Sequence, residues 1–314
     1  MSRTNARRVC SIILASSFAL GALLGNRTEC SAASGDNVIR IISPAAGQVV
    51  ADWTTLVRGE LNVPVGAEVG VTINGFVAFV GRGKFATMLP LNFPTPTTDV
   101  SAIVTNSLEA ILGTHSIPIT AQTPNAEPVL TFRPYPTVGT APLPVRFTMT
   151  SLKQIARVEL DLDGDGTVDW QGVTLEKQEF PLHEPGLYYP TIRVTDTAGN
   201  VYTDNALVQV FDPKELDKLL QAKWTAMKGA LRQGDIDRAV NYIVTKKRDG
   251  YRKMFESLTI PLSNIDQVLT DIKFVKMAGI HVEYEMLYME GGAVFSGLVN
   301  FSLDTDGIWR INFF

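Results

Sequence analysis

The hydrophobic period of this chain first changes at Asp212-Pro213. Before it, apolar residues come in short runs closed off by Pro, Gly or Asn-Gly. After it, Leu216, Leu219, Leu220, Trp224, Met227 and Leu231 recur at helical spacing and share one face. Short apolar runs between turn residues build antiparallel sheet, not helix. Asp212-Pro213-Lys214-Glu215 is itself a helix start, an N-cap followed by proline at the first helical position. The chain is therefore expected to be all-β up to this point and α+β beyond it.

A length of 314 residues allows two or three domains, and 45% hydrophobic with 19% charged residues suits domains that bury a core. The net charge is -4 and no Lys or Arg run occurs, which argues against a nucleic-acid or anionic-membrane surface. Residues 1–33 read as a secretory signal peptide, with an uncleaved anchor as the rival reading. Arg3, Arg7 and Arg8 form its positive end, Val9 to Leu24 its apolar run, and Ser31-Ala32-Ala33 its small-residue cleavage site. Both cysteines, Cys10 and Cys30, lie in this leader. A mature chain starting near Ser34 would have no disulfide, thiolate ligand or cysteine nucleophile, so its stability must come from its cores. No later stretch is long and apolar enough to span a membrane.

Residues 37–122 carry about seven short β-runs. Asn74-Gly75, between Val69–Ile73 and Phe76–Val80, is the strongest hairpin signal, because both residues tolerate positive φ. Ser107 to Leu112 reads as a helical turn or a loop. Gly81-Arg82-Gly83-Lys84 lacks the spacing and the hydroxyl residue of a phosphate loop and is expected to be a solvated turn. Strands at this spacing indicate a β-sandwich. The series Ile41, Pro44, Gly47, then Val57, Gly59, then Val71, Ile73, Asn74, Gly75 resembles bacterial immunoglobulin-like modules.

Residues 126–211 begin with Pro128, Pro134, Pro136, Pro142 and Pro144, which mark strand edges and turns. Three motifs follow in order: Asp161 to Gly166, Pro185-Gly186-Leu187-Tyr188, and Val194 to Asn200. Together they resemble the polycystic-kidney-disease (PKD) domain, a β-sandwich of extracellular proteins, with Leu160 where that family usually has an aromatic. The resemblance implies a spacer or adhesion module and no catalysis.

Within this module, Asp161-Leu162-Asp163-Gly164-Asp165-Gly166-Thr167-Val168-Asp169 is the only stretch with clear metal-ligand spacing. Ca²⁺ takes six to eight oxygens on a flexible acidic turn. Asp161, Asp163, Asp165, the Thr167 carbonyl and Asp169 reproduce the first nine positions of a calcium loop. Gly172 stands where the bidentate twelfth ligand belongs, and Glu176 or Glu179 would have to fold back to replace it. The alternatives are weak Mg²⁺ binding, or a tight turn whose Asp side chains cap backbone N–H groups.

Residues 213–314 place helices first and then a meander. Asp235 caps a second helix, Tyr251 to Leu258 suggest a third, and Ser263 to Leu269 a fourth. Strands are expected from Ile280 to Met289, through Phe295 to Leu303, and at Trp309 to Phe313. Trp224, Ala230-Leu231, Gly234-Asp235, Tyr251 and Asp306 to Ile311 resemble the cystatin-like α+β cone of the nuclear-transport-factor-two-like superfamily. That fold hosts enzymes, carriers and inert assembly domains, so it implies no single function. His281, Glu283 and Glu285 share one strand face, as cone enzymes often require and as any solvated sheet face also shows.

The fold class expected is thus multidomain: two all-β immunoglobulin-like sandwiches followed by an α+β cystatin-like cone. The function expected is non-enzymatic recognition or spacing by a secreted, periplasmic or cell-surface bacterial protein. Its partner would be protein or glycan, with Ca²⁺ as the candidate ion and no catalytic residue assigned. The rival is ligand binding or hydrolysis inside the cone, which would require His281 or Glu283 to point into an open cavity.

Overall fold

A computed structural model describes residues 38–64, 66–91, 98–122, 128–258 and 260–314. The expected leader, with Arg3, Arg7, Arg8, Cys10, Cys30 and its cleavage site, lies outside the described residues.

The first layer is built from seven antiparallel strands. In spatial order they are Ile39–Ser43, Thr54–Leu61, Lys84–Pro90, Phe76–Gly81, Val69–Ile73, Asp99–Asn106 and Ile111–Pro118. The strand Phe76–Gly81 serves two sheets. Its first half pairs with Val69–Ile73 and its second half with Lys84–Pro90, so the sheet folds over its own apolar face. Val57, Val71, Ile73, Phe85, Val100 and Val104 are sealed inside. Asn74 (φ 48°) and Gly75 (φ 84°) form the expected tight hairpin, and Arg82 (φ 51°) with Gly83 (φ 72°) forms a second. Asn106 to Ala110 is a turn held by the Asn106 side chain, and the strand resumes at Ile111. Gly59 has a packing reason. A Cβ there would lie 2.1 Å from the Arg40 carbonyl oxygen and 2.4 Å from the Phe85 ring.

The second layer is also all β. One sheet contains Leu130–Tyr135, Leu143–Ser151 and Phe180–Leu182, and another orders Trp170–Gly172, Ile155–Asp161, Thr191–Asp196 and Val201–Asn205. Phe132 stacks on Phe147 at 4.9 Å in a core that includes Val158, Leu160 and Ile192. The Pro185–Tyr188 motif closes a corner, with the Tyr188 hydroxyl donating to the Glu184 carbonyl at 2.8 Å. The Val194–Asn200 motif is a turn gathered on Asp196, whose carboxylate accepts from the Ala198 and Asn200 N–H groups and the Asn200 side chain.

The third layer packs three helices on a meander. Helix α1 (Pro213–Arg232) starts as expected: the Asp212 carboxylate accepts from the N–H of Lys214 at 2.8 Å and of Glu215 at 3.0 Å. Helices α2 (Ile236–Val240) and α3 (Arg248–Glu256) follow, and the expected fourth helix is a 3-10 segment, Leu262–Gln267. The sheet orders Ile272–Ala278, His281–Glu290, Ala293–Leu303 and Trp309–Phe313 in sequence. Its first strand was not expected, because a bulge between Phe274 and Lys276 breaks the alternation there. Phe314 closes the helix layer, with its ring 5.2 Å from Trp224 and 4.9 Å from Tyr251.

Each layer has its own buried cluster, yet Gly35–Phe314 hold together as one compact unit. Ala86, Tyr189 and Leu207 seal the first layer to the second. The first meets the third at Gly70, where a Cβ would lie 1.9 Å from the Asp306 carbonyl oxygen. Beside it, Lys223 of α1 pairs with Glu68 at 2.5 Å, and burial pulls the lysine's pKa down despite that partner.

Candidate functional site

The acidic loop hangs from a rigid base. Val158 and Leu160 are fully buried, and Leu160 pairs with Trp170 across the hairpin, so residues 161–169 must close on one strand pair. Gly164 (φ 79°) and Gly166 (φ 91°) allow the two reversals this needs. The backbone N–H groups freed by the turn are taken up by the carboxylates. Asp161 Oδ1 accepts from Gly164 at 2.7 Å and its Oδ2 from Gly166 at 2.8 Å. Asp163 accepts from Asp165 at 3.1 Å, Asp165 from Thr167 at 2.6 Å, and Asp169 from Leu162 at 2.7 Å.

Three of the four expected carboxylate ligands come together. Asp161, Asp163 and Asp169 each offer a carboxylate oxygen, all within 4.8 Å of one another. Calcium bonds of 2.3–2.6 Å place opposite ligands about 4.8 Å apart, so one ion fits this cluster. Asp165 is not part of it; its carboxylate accepts from the Thr167 N–H instead. Gly172, at the twelfth position, is held in the return strand opposite Val158. Glu179 does not fold back, because it pairs with Arg146 at 3.0 Å. Among the described residues no Lys or Arg forms an ion pair with Asp161, Asp163, Asp165 or Asp169, so a bound cation would meet uncompensated charge. The donor set is carboxylate oxygen only, which suits a hard cation.

His281, Glu283 and Glu285 lie on the outer face of their strand. Their alternates Val282, Tyr284 and Met286 fill the core below α1. Glu283 pairs with Lys276 at 3.2 Å, and Glu285 accepts from the Ser296 hydroxyl at 2.9 Å. The space between helices and sheet is occupied by Trp224, Tyr284, Phe301 and Phe255, all nearly or fully buried. Burial, then the nearby Asp217 carboxylate that its hydroxyl donates to, pushes the Tyr284 phenol far above its usual range. Among the described residues no histidine joins a metal-ligating cluster. His115 accepts from the Ile41 N–H at 3.3 Å within the first layer, remote in sequence from His281.

The sequence motif Asp306 to Ile311 conceals a charge cluster that the pattern did not reveal. Arg310 is 1% exposed. Its guanidinium donates to Asp304 at 2.9 Å, to both Asp306 oxygens at 2.7 Å, and across the layer boundary to Glu109 at 3.2 Å. Arg248 pairs with the same Glu109. Burial alone would raise the Asp304 pKa. The Thr245 and Thr305 N–H groups, the Thr245 hydroxyl and Arg310 outweigh it and hold this carboxyl below its ordinary value. Through Glu109 these groups join the first layer to the third.

No family model matches the chain, and no curated protein matches it. Among solved structures, it is similar to the fibronectin(III)-like modules of Clostridium thermocellum CbhA, at 13% identity over 56% of this chain and 95% of that one, with a TM-score of 0.22. It is also similar to the D00-D0 domain of intimin, at 12% identity over 56% and 100%, with a TM-score of 0.21. A third is the Bacteroides ovatus protein SGBP-B in complex with a mixed-linkage heptasaccharide, at 14% identity over 56% and 48%, with a TM-score of 0.19. Likeness at these scores carries no argument about partner or activity. The fold rests on the strand pairing of the chain itself, which is mostly β, in several sheets consistent with immunoglobulin-like sandwiches.

Proposed function

We propose that this chain is a non-enzymatic recognition and spacer protein, secreted or held at the bacterial cell envelope. In this reading residues 37–122 are an immunoglobulin-like sandwich, 126–211 a PKD-like sandwich, and 213–314 a nuclear-transport-factor-two-like domain that the sandwiches present. A leader over residues 1–33 would direct export. The observation that carries the reading is the filled interior of the third layer, with His281, Glu283 and Glu285 turned away from it. The same observation removes the support for ligand turnover inside a cone. Partners would be protein or glycan engaged by loops and sheet edges. A net charge of -4 with no basic run disfavours nucleic acid. Among the described residues no helix is long and apolar enough to cross a membrane.

Calcium enters this proposal as a stabiliser. Asp161, Asp163 and Asp169 would hold the ion, with the Thr167 carbonyl and water completing the shell. Its chemistry there is charge neutralisation, which stiffens the loop against its strand pair. The experiment is a binding panel of envelope glycans and envelope proteins against the full chain, in calcium and in chelator, alongside chromogenic ester, glycoside and phosphoester substrates. Saturable binding that survives His281→Ala and Glu283→Gln is expected. Turnover of any substrate that either variant abolishes would overturn the non-enzymatic reading.

A further inference from the structure

The first and second layers part beside their seal and leave a cleft of about 380 Å³. Its two walls are already fixed against each other. Tyr189 of the second layer packs on Ala86 of the first, and the Arg58 guanidinium lies over the Tyr189 ring at 5.3 Å. The acidic loop braces the back of the cleft, where a Cβ at Gly164 would lie 2.8 Å from the Tyr189 Cβ. Small-ligand sites occupy ~300–1,000 Å³ and are usually apolar. This cleft has the volume, but its wall is mainly polar, so whatever it holds is recognised by hydrogen bonds.

Most polar side chains here are not engaged elsewhere. Among the described residues, those of Ser43, Thr54, Thr55 and Asn205 form no hydrogen bond within the protein, and Asp52 and Arg58 form no ion pair. Asp204, close enough to feel the Asp52 charge, is engaged: it accepts the Phe132 N–H at 2.9 Å and the Asn205 N–H at 2.8 Å. A hydroxyl or an amide both donates and accepts, a carboxylate only accepts, and a guanidinium only donates. A concave wall that mixes all of these matches a ligand whose own groups donate and accept at several points. Adjacent hydroxyls on a ring have that property. Two neighbouring O–H groups can donate to the two oxygens of Asp52 while their lone pairs accept from the Arg58 fork. Charge narrows the choice. Asp52 and the acidic loop behind Gly164 repel an anion and Arg58 repels a cation, so an uncharged ligand alone meets no like charge.

We propose that the cleft between the first and second layers is a carbohydrate-binding site, taking a short uncharged saccharide through Asp52, Arg58 and the hydroxyl and amide groups around them. The proposal rests on the non-enzymatic recognition reading and gives it a place and a ligand class. Hydrogen bonds to the two charged groups supply most of the affinity, because these are the stronger kind. The walls are packed together before the ligand arrives, so binding orders little of the protein. Each layer contributes part of the wall, so neither layer alone forms the site.

Calorimetric titration of the full chain with cellobiose, maltose, lactose and N,N′-diacetylchitobiose tests this, with glucuronate and glycine betaine as anionic and zwitterionic controls. At least one of the disaccharides is expected to bind saturably at a single site, and neither control. Asp52→Ala and Arg58→Met should each weaken that binding by about tenfold or more, the loss of a hydrogen bond to a charged group. Ala51→Trp, on an exposed stretch outside the strands, fills the cleft from its rim and should abolish binding. Glu60→Gln, on the same strand as Arg58 but outside the cleft, should leave binding unchanged. An unchanged melting temperature shows that each variant is folded. No saturable binding of any disaccharide, tighter binding of either control, or binding that Asp52→Ala and Ala51→Trp both leave intact would overturn the site. Those results leave the recognition reading standing with its surface elsewhere. Turnover of a bound sugar would instead overturn the non-enzymatic reading and keep the site.

Discussion

Arg310→Met is the sharpest perturbation this structure offers. Arg310 is 1% exposed, and Asp304 and Asp306 have side chains only 6% and 21% exposed. Methionine keeps most of the volume, so the loss is electrostatic and not a cavity. Two carboxylates are then left poorly solvated without their counter-ion, and breaking a buried pair in this way costs about 3–5 kcal/mol. The lower end is expected, because Asp304 keeps the Thr245 N–H at 2.8 Å and the Thr245 hydroxyl at 2.7 Å. Glu109 is 45% exposed, so Glu109→Ala should cost under about 1 kcal/mol even though it bridges two layers. Adding Asp304→Asn and Asp306→Asn to Arg310→Met should recover at least half the loss, since the penalty lies in stranded charge. Urea unfolding followed by tryptophan fluorescence, which reports on Trp53 in the first layer, Trp170 in the second, and Trp224 and Trp309 in the third, measures all of these by linear extrapolation. A loss below about 1 kcal/mol for Arg310→Met, or no recovery in the triple variant, would refute the reasoning.

Four further outcomes are expected. Gly70→Ala should destabilise by about 1–3 kcal/mol, because the atom 1.9 Å from the new Cβ is the Asp306 backbone carbonyl and cannot swing aside; a neutral substitution in urea melts would show that the layers are not held there. Millimolar calcium should raise the melting temperature, by about 2.7 kcal/mol of stabilisation at ~100 times Kd. Asp163→Asn should lose this rise and Asp165→Asn should keep most of it, while equal melting in calcium and chelator would leave only a capped turn. The Asp304 carboxyl titrates below its unfolded value, so its stabilisation is complete above the ordinary carboxylate range near ~3.9 and fades as pH falls through the depressed value. Acid unfolding curves should therefore flatten in Asp304→Asn, and an unchanged acid limb would remove that carboxyl from the account. Residues 212–314 alone should melt cooperatively but at lower temperature than in the full chain, having lost Glu68 and Glu109; a non-cooperative melt would count against the boundary at Asp212.

What could be read in the sequence was local. Asn74-Gly75 names its turn because both residues accept positive φ without help from elsewhere. Asp212-Pro213 names a helix start because the cap acts on N–H groups two and three residues away. The acidic loop was visible for the same reason, since its ligands and its glycines sit within nine residues. The outward face of His281, Glu283 and Glu285 was also legible as alternation, but alternation could not tell which face was inside. Burial of Val282 and Tyr284 against α1 decided that.

Tertiary structure alone decided the rest, because the partners are far apart along the chain. Asp165 shares its spacing with the other aspartates, yet its carboxylate faces the Thr167 N–H while Asp169 returns to Asp161 through strand pairing. Nothing in the sequence around Gly70 marks it as small for the sake of Asp306, which follows more than two hundred residues later. Arg310 reads as an exposed strand residue beside Trp309, and only the docking of Glu109 and the turn at Asp304 make it buried. Gln209 lies on a strand of ordinary pattern. Its orphaned oxygen exists because Val80 takes its amide N–H and three layers close around it. A sequence specifies the conformations that neighbouring residues impose on one another, whereas charge burial and cavities depend on which distant surfaces exclude water together.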